Sequence, residues 1–345
     1  MVTGWFNGTA NLGSTVMSQG ESDIFLMSLD PSTGDVVWSD ALGGTGFDYG
    51  QAVVSSANGI THLAGRFSDS MNVGGGVGTL TSEGWSDLFV IIYNAGGPER
   101  GFSAGSDMFA ATDSADALAL DASGNLFVGG RFTGTVNLGG QPLTSAGGTD
   151  IFLASYGPSG NHRWSKGFGG FNTDSLDAIA VNSRGEVFMF GVFRDTVNFG
   201  GSDLTSVPPY DTVVASYTTN GLHRWSTRLG GGTDTFYASD MTVSGDDIYL
   251  TGAFEGVINV NVIGGRIGSR GEWDIFVTRF SRLGVEDWTR TFGGTGLDYA
   301  SSVRIFGNNL FLTGDYWGPL DFGGGALMNA GNADVFVMSM ELEGR

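Results

Sequence analysis

The sequence predicts an all-β protein built from six copies of one four-stranded sheet, and three observations carry this prediction. A single glycine-aromatic step recurs along the whole chain of 345 residues. Each copy holds short apolar runs, alternating or continuous, between clusters of turn residues, which is the pattern of antiparallel strands. No stretch shows the apolar spacing of an amphipathic helix. Sheets of this kind, repeated at a fixed period, are typical of a β-propeller, whose blades bury their faces against their neighbours.

The glycine-aromatic step marks the second strand of each repeat, named strand B. Successive glycines lie 61, 65, 61, 61 and 62 residues apart, and Phe or Tyr follows two residues after each. We therefore expect a single domain over residues 1–345, because repeats of this kind are stable only against one another. The glycines are Gly4, Gly65, Gly130, Gly191, Gly252 and Gly314, and the blade repeats are expected at about 1–42, 43–104, 105–168, 169–229, 230–292 and 293–345.

The third repeat shows the elements in order. Residues 116–120 alternate apolar and polar side chains and predict strand A, and the continuous apolar run 126–132 predicts strand B. The segment VNLGGQPLTS (136–145) then predicts a small extra hairpin. Strand C is expected over 150–156, and strand D carries Trp164. The same order in the other repeats predicts about 22 blade strands.

The two terminal repeats are incomplete. Strands B and C occur six times, whereas A is missing from the first repeat and D from the sixth. We favour a chain that is a piece of a longer array; the alternative is a ring with two three-stranded blades. Unpaired strand edges also predict end-to-end self-association. The D strands carry one aromatic residue each, expected between neighbouring blades: Trp38, Phe102, Trp164, Trp225 and Trp288.

The composition of the chain argues against several classes of function and site. The 36 acidic and 16 basic residues give a net charge of −20 without a basic patch, which argues against nucleic-acid binding. The chain has no cysteine and therefore no disulfide or thiolate metal site. Three scattered histidines suggest neither a zinc site nor a nucleophile-base pair. No apolar run is long enough for a transmembrane segment, and no signal peptide is recognisable in this chain.

Several motifs recur nearly unchanged: GGTGFDYGQAV (43–53), GGTGLDYASSV (293–303), TVNLGG (135–140), TVNFGG (196–201) and GGTDIFLASYGPSG (147–160). Together they resemble the seven-bladed β-propeller repeat family of bacterial surface and secreted proteins, and the resemblance covers essentially the whole chain. It implies a propeller fold and an extracellular, cell-surface or periplasmic location. The family has no single assigned activity, so the resemblance does not define a reaction.

Two of these motifs fit a calcium-binding nonapeptide, with Asp48 and Asp298 as the candidate Ca²⁺ ligands. Calcium-binding nonapeptides follow one another directly, whereas here the motif occurs once per repeat and departs from the pattern at 169–175 and 230–236. We therefore favour turns in which the aspartate accepts hydrogen bonds from loop amides. No cofactor is expected, and Ca²⁺ at these aspartates is the alternative.

The loops that differ between blades are the candidates for binding. Strand direction places the B–C and D–A loops on one face, and five aromatic residues of these loops are the candidate binding residues: Trp85, Tyr210, Trp273, Phe47 and Phe171. The hypothesis is a non-catalytic binding or scaffold protein that uses this face for a protein or glycan. The alternatives are a hydrolase or lyase with carboxylates at the channel mouth, and a spacer module of a larger surface protein. The short turns of the opposite face are expected to bind nothing.

Overall fold

The computed structural model describes residues 1–108, 110–230, 235–260 and 265–342. Every regular element in these ranges is a β-strand, and they contain no helix that could cross a membrane. Of the 34 strands described, 22 form the blade sheets and 12 form small hairpins. The predicted all-β fold with four-stranded blades and an extra hairpin per repeat is therefore confirmed.

The chain divides into two compact units, Met1–Phe168 and Gly169–Arg345, each with three blades. In the first unit, blade 1 contains β1 (Val2–Phe6), β2 (Thr9–Asn11), β3 (Thr15–Met17), β4 (Asp23–Leu29) and β5 (Val36–Gly44). Blade 2 contains β6 (Asp48–Ser55), β7 (Thr61–Phe67), β8 (Ser70–Gly74), β9 (Gly78–Thr81), β10 (Asp87–Asn94) and β11 (Gly97–Ala104). Blade 3 contains β12 (Ser114–Leu120), β13 (Leu126–Phe132), β14 (Thr135–Val136), β15 (Leu143–Thr144), β16 (Asp150–Tyr156) and β17 (His162–Phe168).

The second unit repeats this plan. Blade 4 contains β18 (Ser175–Val181), β19 (Val187–Phe193), β20 (Thr196–Asn198), β21 (Asp203–Thr205), β22 (Asp211–Tyr217) and β23 (His223–Leu229). Blade 5 contains β24 (Thr235–Ser244), β25 (Asp247–Glu255), β26 (Val257–Val260), β27 (Gly265–Gly268), β28 (Asp274–Ser281) and β29 (Glu286–Phe292). Blade 6 contains β30 (Asp298–Phe306), β31 (Asn309–Tyr316), β32 (Leu320–Asp321), β33 (Ala326–Leu327) and β34 (Asp334–Glu341).

The complete blades have antiparallel strands in the order A-B-C-D, as in β12-β13-β16-β17. Within the described ranges, blade 1 has only strands B, C and D of its own, and blade 6 has only A, B and C, as predicted. The sheet of blade 1 is extended by the β8–β9 hairpin, through pairing of Gly43 with Asn72. Strand β34 has no outer partner among the described strands, and Val335 and Val337 on it are exposed. Self-association through such edges stays a prediction.

The core lies between successive blades. Ala64, Leu88 and Val90 of blade 2 face Val128 and Phe152 of blade 3, and all five are buried. The D-strand aromatics contribute at four such contacts. Trp38 stacks on Tyr93, Phe102 packs on Tyr156, and the Trp225 indole donates a hydrogen bond to the Arg282 carbonyl. Trp288 packs against the core cluster formed by blades 5 and 6, and Trp164 contacts Phe127 of its own blade.

Candidate functional site

An aspartate begins strand C in every blade and shapes the loop before it. Its Oδ2 accepts a hydrogen bond from the amide four residues earlier, at 2.6–3.0 Å. Such side-chain-to-backbone bonds hold a turn in one conformation. We call these loops the aspartate turns, and Trp85, Tyr210 and Trp273 lie within three of them. The six aspartates are Asp23, Asp87, Asp150, Asp211, Asp274 and Asp334.

The D–A loop aspartates have a similar structural role. Asp48 and Asp298 are buried, and their Oδ2 atoms accept hydrogen bonds from the amides of Gly44 at 2.8 Å and Gly294 at 2.7 Å. The corresponding strand position in blade 5 is Phe236, paired with Phe254. Most of the 230–236 motif, residues 231–234, lies outside the described residues. The described ranges contain no group of three or more Asp, Glu, His or Cys residues suited to a metal ion. Calcium at Asp48 and Asp298 stays an alternative.

Buried carboxyls meet at the contacts between blades. Burial raises the pKa of Asp48 to about 7, and the nearby Asp23 carboxylate adds to the rise. Burial likewise raises the pKa of Asp87 to about 7, with a contribution from Asp113, whose own pKa rises to about 6. The cause is that a low-dielectric surrounding and a like charge both disfavour the ionised form. These carboxyls are consequently part of the loop framework.

The predicted proximity of the B–C and D–A loops is observed in both units. Ser22 and Phe47 form an isolated parallel bridge, as do Ser86 and Thr112. In the second unit, the Asp298 amide donates a hydrogen bond to the Trp273 carbonyl at 2.8 Å. The B–C loop of one blade therefore lies against the D–A loop of the next blade.

Two of the predicted aromatic residues share one cavity in the first unit. This cavity, of about 220 Å³, is lined by Phe47, Tyr49, Arg66 and Trp85, with Ser68 and Ser86 at its edge; we call it the aromatic cavity. Trp85 is 61% exposed and Phe47 is 43% exposed. The Phe47 and Tyr49 rings are parallel within 2°, with centroids 6.3 Å apart. The cavity is therefore lined by exposed aromatic rings, which are carried by a backbone of fixed conformation.

Close backbone approaches hold both aromatic residues. The Phe47 amide donates a hydrogen bond to Ser68 Oγ at 2.7 Å, and a methyl group at Gly46 would lie 2.4 Å from that same oxygen. Gly84, next to Trp85, has φ +83°, and a methyl group there would lie 2.4 Å from the Ser106 carbonyl oxygen. Only glycine fits either place, because any side chain would displace backbone. The two glycines thus fix the positions from which the rings project.

Arg66 supplies the positive charge of the cavity. Its guanidinium carbon lies 4.7 Å from the centroid of Tyr49, which is a cation–π contact. Its Nε is buried without a hydrogen-bond partner, and Arg66 forms no ion pair with any residue in the described part of the chain. The equivalent Arg131 of blade 3 pairs with Asp116 at 3.7 Å, and the charge of Arg66 acts on the same carboxylate without forming an ion pair with it. Arg66 therefore has unused capacity for an acceptor, which carboxylates satisfy well.

Sequence reasoning missed Tyr49 and Arg66. Both belong to motifs shared between repeats, GGTGxDY and GRF, and a shared motif does not distinguish one blade from another. The signal that could have found Arg66 is its context. The protein has few basic residues. In blade 3, Arg131 has Asp116 of its own strand A as an acidic partner, whereas the residue of blade 2 that matches Asp116 is Gln51.

The remaining predicted residues belong to the second unit. Phe171 is 80% exposed. Tyr210 and Trp273 are half-buried and differ from the expected open platforms. Arg194 lies 5.6 Å from the Tyr210 ring, and Trp273 packs against Tyr299 with centroids 6.0 Å apart. A neighbouring side chain therefore lies against each of these two rings, and ligand binding at Tyr210 and Trp273 stays a prediction.

Comparison with known proteins adds two relatives, and no family model matches the chain. The sequence is 27% identical over 320 residues to the regulatory protein FlaEY of Caulobacter vibrioides, covering 86% of this chain and 33% of that protein. It is 21% identical over 269 residues to an uncharacterized WD repeat-containing protein, L264, of Acanthamoeba polyphaga mimivirus, covering 63% of this chain and 19% of that protein. The chain thus spans about a third and about a fifth of these relatives' lengths.

The repeated four-stranded antiparallel sheets and the similarity to a WD repeat-containing protein together define the class. The chain is an all-β repeat protein of the β-propeller type. Membership of the bacterial seven-bladed repeat family stays a prediction from the sequence motifs.

Proposed function

We propose that this protein is a non-catalytic repeat scaffold that binds a protein partner through the aromatic cavity of blade 2. The observation that carries the proposal is the combination of the exposed Trp85 with the unpaired Arg66 across one cavity. Trp, Tyr and Arg are the residue types that dominate the energy of protein interfaces. The similarity to a regulatory protein and to a WD repeat-containing protein supports a scaffold role.

The size and charge of the cavity favour a particular kind of partner. A volume of about 220 Å³ lies below the ~300–1,000 Å³ of common small-molecule sites and suits one or two side chains of a partner. Within the described ranges Arg66 is a cation that forms no ion pair, in a protein with a net charge of −20. It favours a carboxylate beside the inserted side chain, because an Arg–carboxylate hydrogen bond is strong and directional. We therefore expect the partner to present an apolar residue next to an acidic one.

Glycan binding is a second candidate, supported by one feature. The parallel rings of Phe47 and Tyr49 form a flat surface, and an aromatic face suits the apolar face of a sugar. An extracytoplasmic location and the seven-bladed bacterial family belong to the same proposal and rest on the resemblance of the repeats. Subcellular fractionation of the native host, with detection by antibody, tests the location; recovery in the cytosol alone would contradict it.

The test selects peptide ligands on the wild-type protein. A displayed peptide library is selected against immobilised wild-type protein without counter-selection on any variant, and a glycan array is probed in parallel. Affinities of the selected peptides are then measured by calorimetry. We expect Trp85→Ala and Arg66→Gln each to weaken binding at least tenfold, because both groups contact the ligand.

The matched control is Phe171→Ala, which removes an even more exposed aromatic residue from the second unit. It should leave the affinity unchanged, and the circular dichroism spectra of all variants should match the wild type. Peptides that bind all variants equally, or a selection without specific peptides, would refute the protein-binding proposal. Glycan binding lost in Trp85→Ala, without peptide binding, would support the second candidate.

A further inference from the structure

A second cleft lies at the opposite ends of the blade strands in the first unit. It has a volume of about 480 Å³ and is formed by the A–B turns of blades 2 and 3 and by Pro158. Its floor includes the side chain of His62, and we call it the His62 cleft. Sequence reasoning expected the turns on this face to bind nothing, because they are short and similar to one another. The volume nevertheless falls within the ~300–1,000 Å³ of small-molecule sites.

His62 occupies a position that is aromatic in the other complete blades. The third residue before the strand-B glycine is Phe127, Phe188 or Tyr249 in blades 3, 4 and 5. Each of those rings contacts the D-strand tryptophan of its own blade, with centroids 6.1–6.2 Å apart. Blade 2 has a smaller residue at both positions, with His62 in strand B and Phe102 in strand D. The cleft therefore coincides with the one complete blade in which this aromatic pair is replaced.

A histidine is a costly choice for this position if its only role is to fill the core. His62 is 5% exposed, and its Nδ1 has no hydrogen-bond partner in the described part of the chain. Burial lowers the pKa of His62 to about 4, so the ring is neutral at physiological pH. A buried polar atom without a partner destabilises the fold, and a phenylalanine would avoid this penalty. A ligand that reaches the imidazole ring from the cleft would satisfy this unmatched group.

We infer that the His62 cleft is a binding site for a small neutral ligand rich in hydroxyl groups, such as a single sugar residue. A neutral imidazole has one donor and one acceptor nitrogen, and a hydroxyl group can serve either. Rotation of the ring by 180° exchanges the positions of nitrogen and carbon, so either edge can present a nitrogen to the cleft. Ile60, Leu120 and Pro158 give apolar walls, while Ser56 and Asn58 give polar ones.

The charges around the cleft exclude other ligand classes. No Lys or Arg lines it among the described residues, so an anion such as a phosphate finds no counter-charge. Its single acidic residue, Asp121, already accepts hydrogen bonds from the amides of Ser123 and Asn125 and from the Asn125 side chain, at 2.7–2.9 Å. A cation would therefore compete with three existing bonds. Ser56 Oγ is already hydrogen-bonded to Asn58 Oδ1 and to the Ile60 carbonyl. A neutral hydroxylated molecule needs no counter-charge and can exchange hydrogen bonds with His62 and with these polar groups.

The experiment measures sugar binding to the whole chain by saturation-transfer NMR and by thermal shift. The probes are glucose, galactose, mannose and N-acetylglucosamine, with glucuronate and glucose 6-phosphate as charged counterparts. At least one neutral sugar should bind saturably, and the charged forms should bind at least tenfold more weakly. His62→Phe, which restores the aromatic residue of the other blades, should reduce the affinity at least tenfold while raising the melting temperature of the free protein.

Two further variants make the result specific. Ala122→Trp places a large ring at the rim of the cleft and should also abolish binding, even if His62→Phe folds poorly. Trp85→Ala alters only the aromatic cavity and should leave sugar binding to the His62 cleft unchanged. The experiment can therefore refute the sugar site without bearing on the proposed protein-binding site. The inference is overturned if no neutral sugar binds, if binding persists in His62→Phe and Ala122→Trp, or if a charged sugar binds more tightly.

Discussion

The substitution Gly284→Ala is the most direct test of the contact between blades 4 and 5 in the second unit. This glycine, in the C–D turn of blade 5, has φ +81°, and a methyl group there would lie 2.7 Å from Cδ2 of Trp225. The Trp225 indole also donates a hydrogen bond to the Arg282 carbonyl at 2.9 Å. The substitution Gly284→Ala therefore adds two penalties, the left-handed backbone and the collision with a ring held in place.

The two penalties can be separated with a second glycine of the same unit. Gly245 has φ +64°, and a methyl group added there would have no other atom within 4 Å, so Gly245→Ala measures backbone strain alone. That strain costs about 1–2 kcal/mol. Overpacking against a fixed neighbour costs about 1–3 kcal/mol more. Gly284→Ala should thus lower the free energy of unfolding by about 2–5 kcal/mol, the sum of the two costs.

A double-mutant cycle identifies the collision partner. Trp225→Ala alone should lose about 3 kcal/mol, the lower end for truncating a large aromatic residue, because the ring is half-buried. In that background Gly284→Ala should lose only the backbone strain, which leaves a coupling energy of about 1–3 kcal/mol. The measurement is urea denaturation followed by far-ultraviolet circular dichroism, with the slopes of the transitions compared as a check on cooperativity.

Two outcomes would refute this account of the blade contact. In the first, Gly284→Ala loses no more free energy than Gly245→Ala, which means that no ring stands in the way. In the second, the loss is the same with and without Trp225, which assigns the collision to another group.

The remaining predictions concern protons and metal. Asp48 and Asp87 have pKa values near 7 in the folded protein, against about 4 in the unfolded chain. Between about pH 4 and about pH 7 the folded state therefore binds more protons than the unfolded state. The free energy of unfolding should fall as the pH rises through this range and change little above it. The urea midpoint should be higher at pH 5 than at pH 8, and Asp87→Asn should reduce the difference; a midpoint that rises with pH would contradict this. For metal, a chelator should leave the melting temperature unchanged, because loop amides already bind the carboxylates of Asp48 and Asp298. A rise with Ca²⁺ that disappears in Asp298→Asn would show instead that these loops bind the ion.

The strands of the blades were largely predictable from local pattern. The predicted strands at 126–132 and 150–156 coincide with β13 and β16, because apolar runs bounded by turn residues leave little choice of register. Strand A of the third repeat begins at Ser114, two residues before the predicted start. The addition of the β8–β9 hairpin to the sheet of blade 1 was not predicted, since pairing between different repeats leaves no local signature.

The candidate sites were predictable only in part. Variation between repeats pointed to Trp85 and Phe47, and both line the aromatic cavity. The same reasoning pointed to Tyr210 and Trp273, yet Arg194 and Tyr299 lie over those rings. A loop aromatic is open or covered according to side chains that are distant in sequence.

The repeat, the strand order within each blade and the aspartates that close the loops could be predicted from the sequence, because each depends on neighbouring residues within one repeat. Which side chains meet depends on tertiary packing. Arg66 forms no ion pair with any described residue and lies beside Tyr49, and His62 lies under a cleft where other blades have packed rings. The physical reason is that a repeated motif specifies the same backbone in every blade, whereas a cavity depends on how side chains from separate turns fill the space between them.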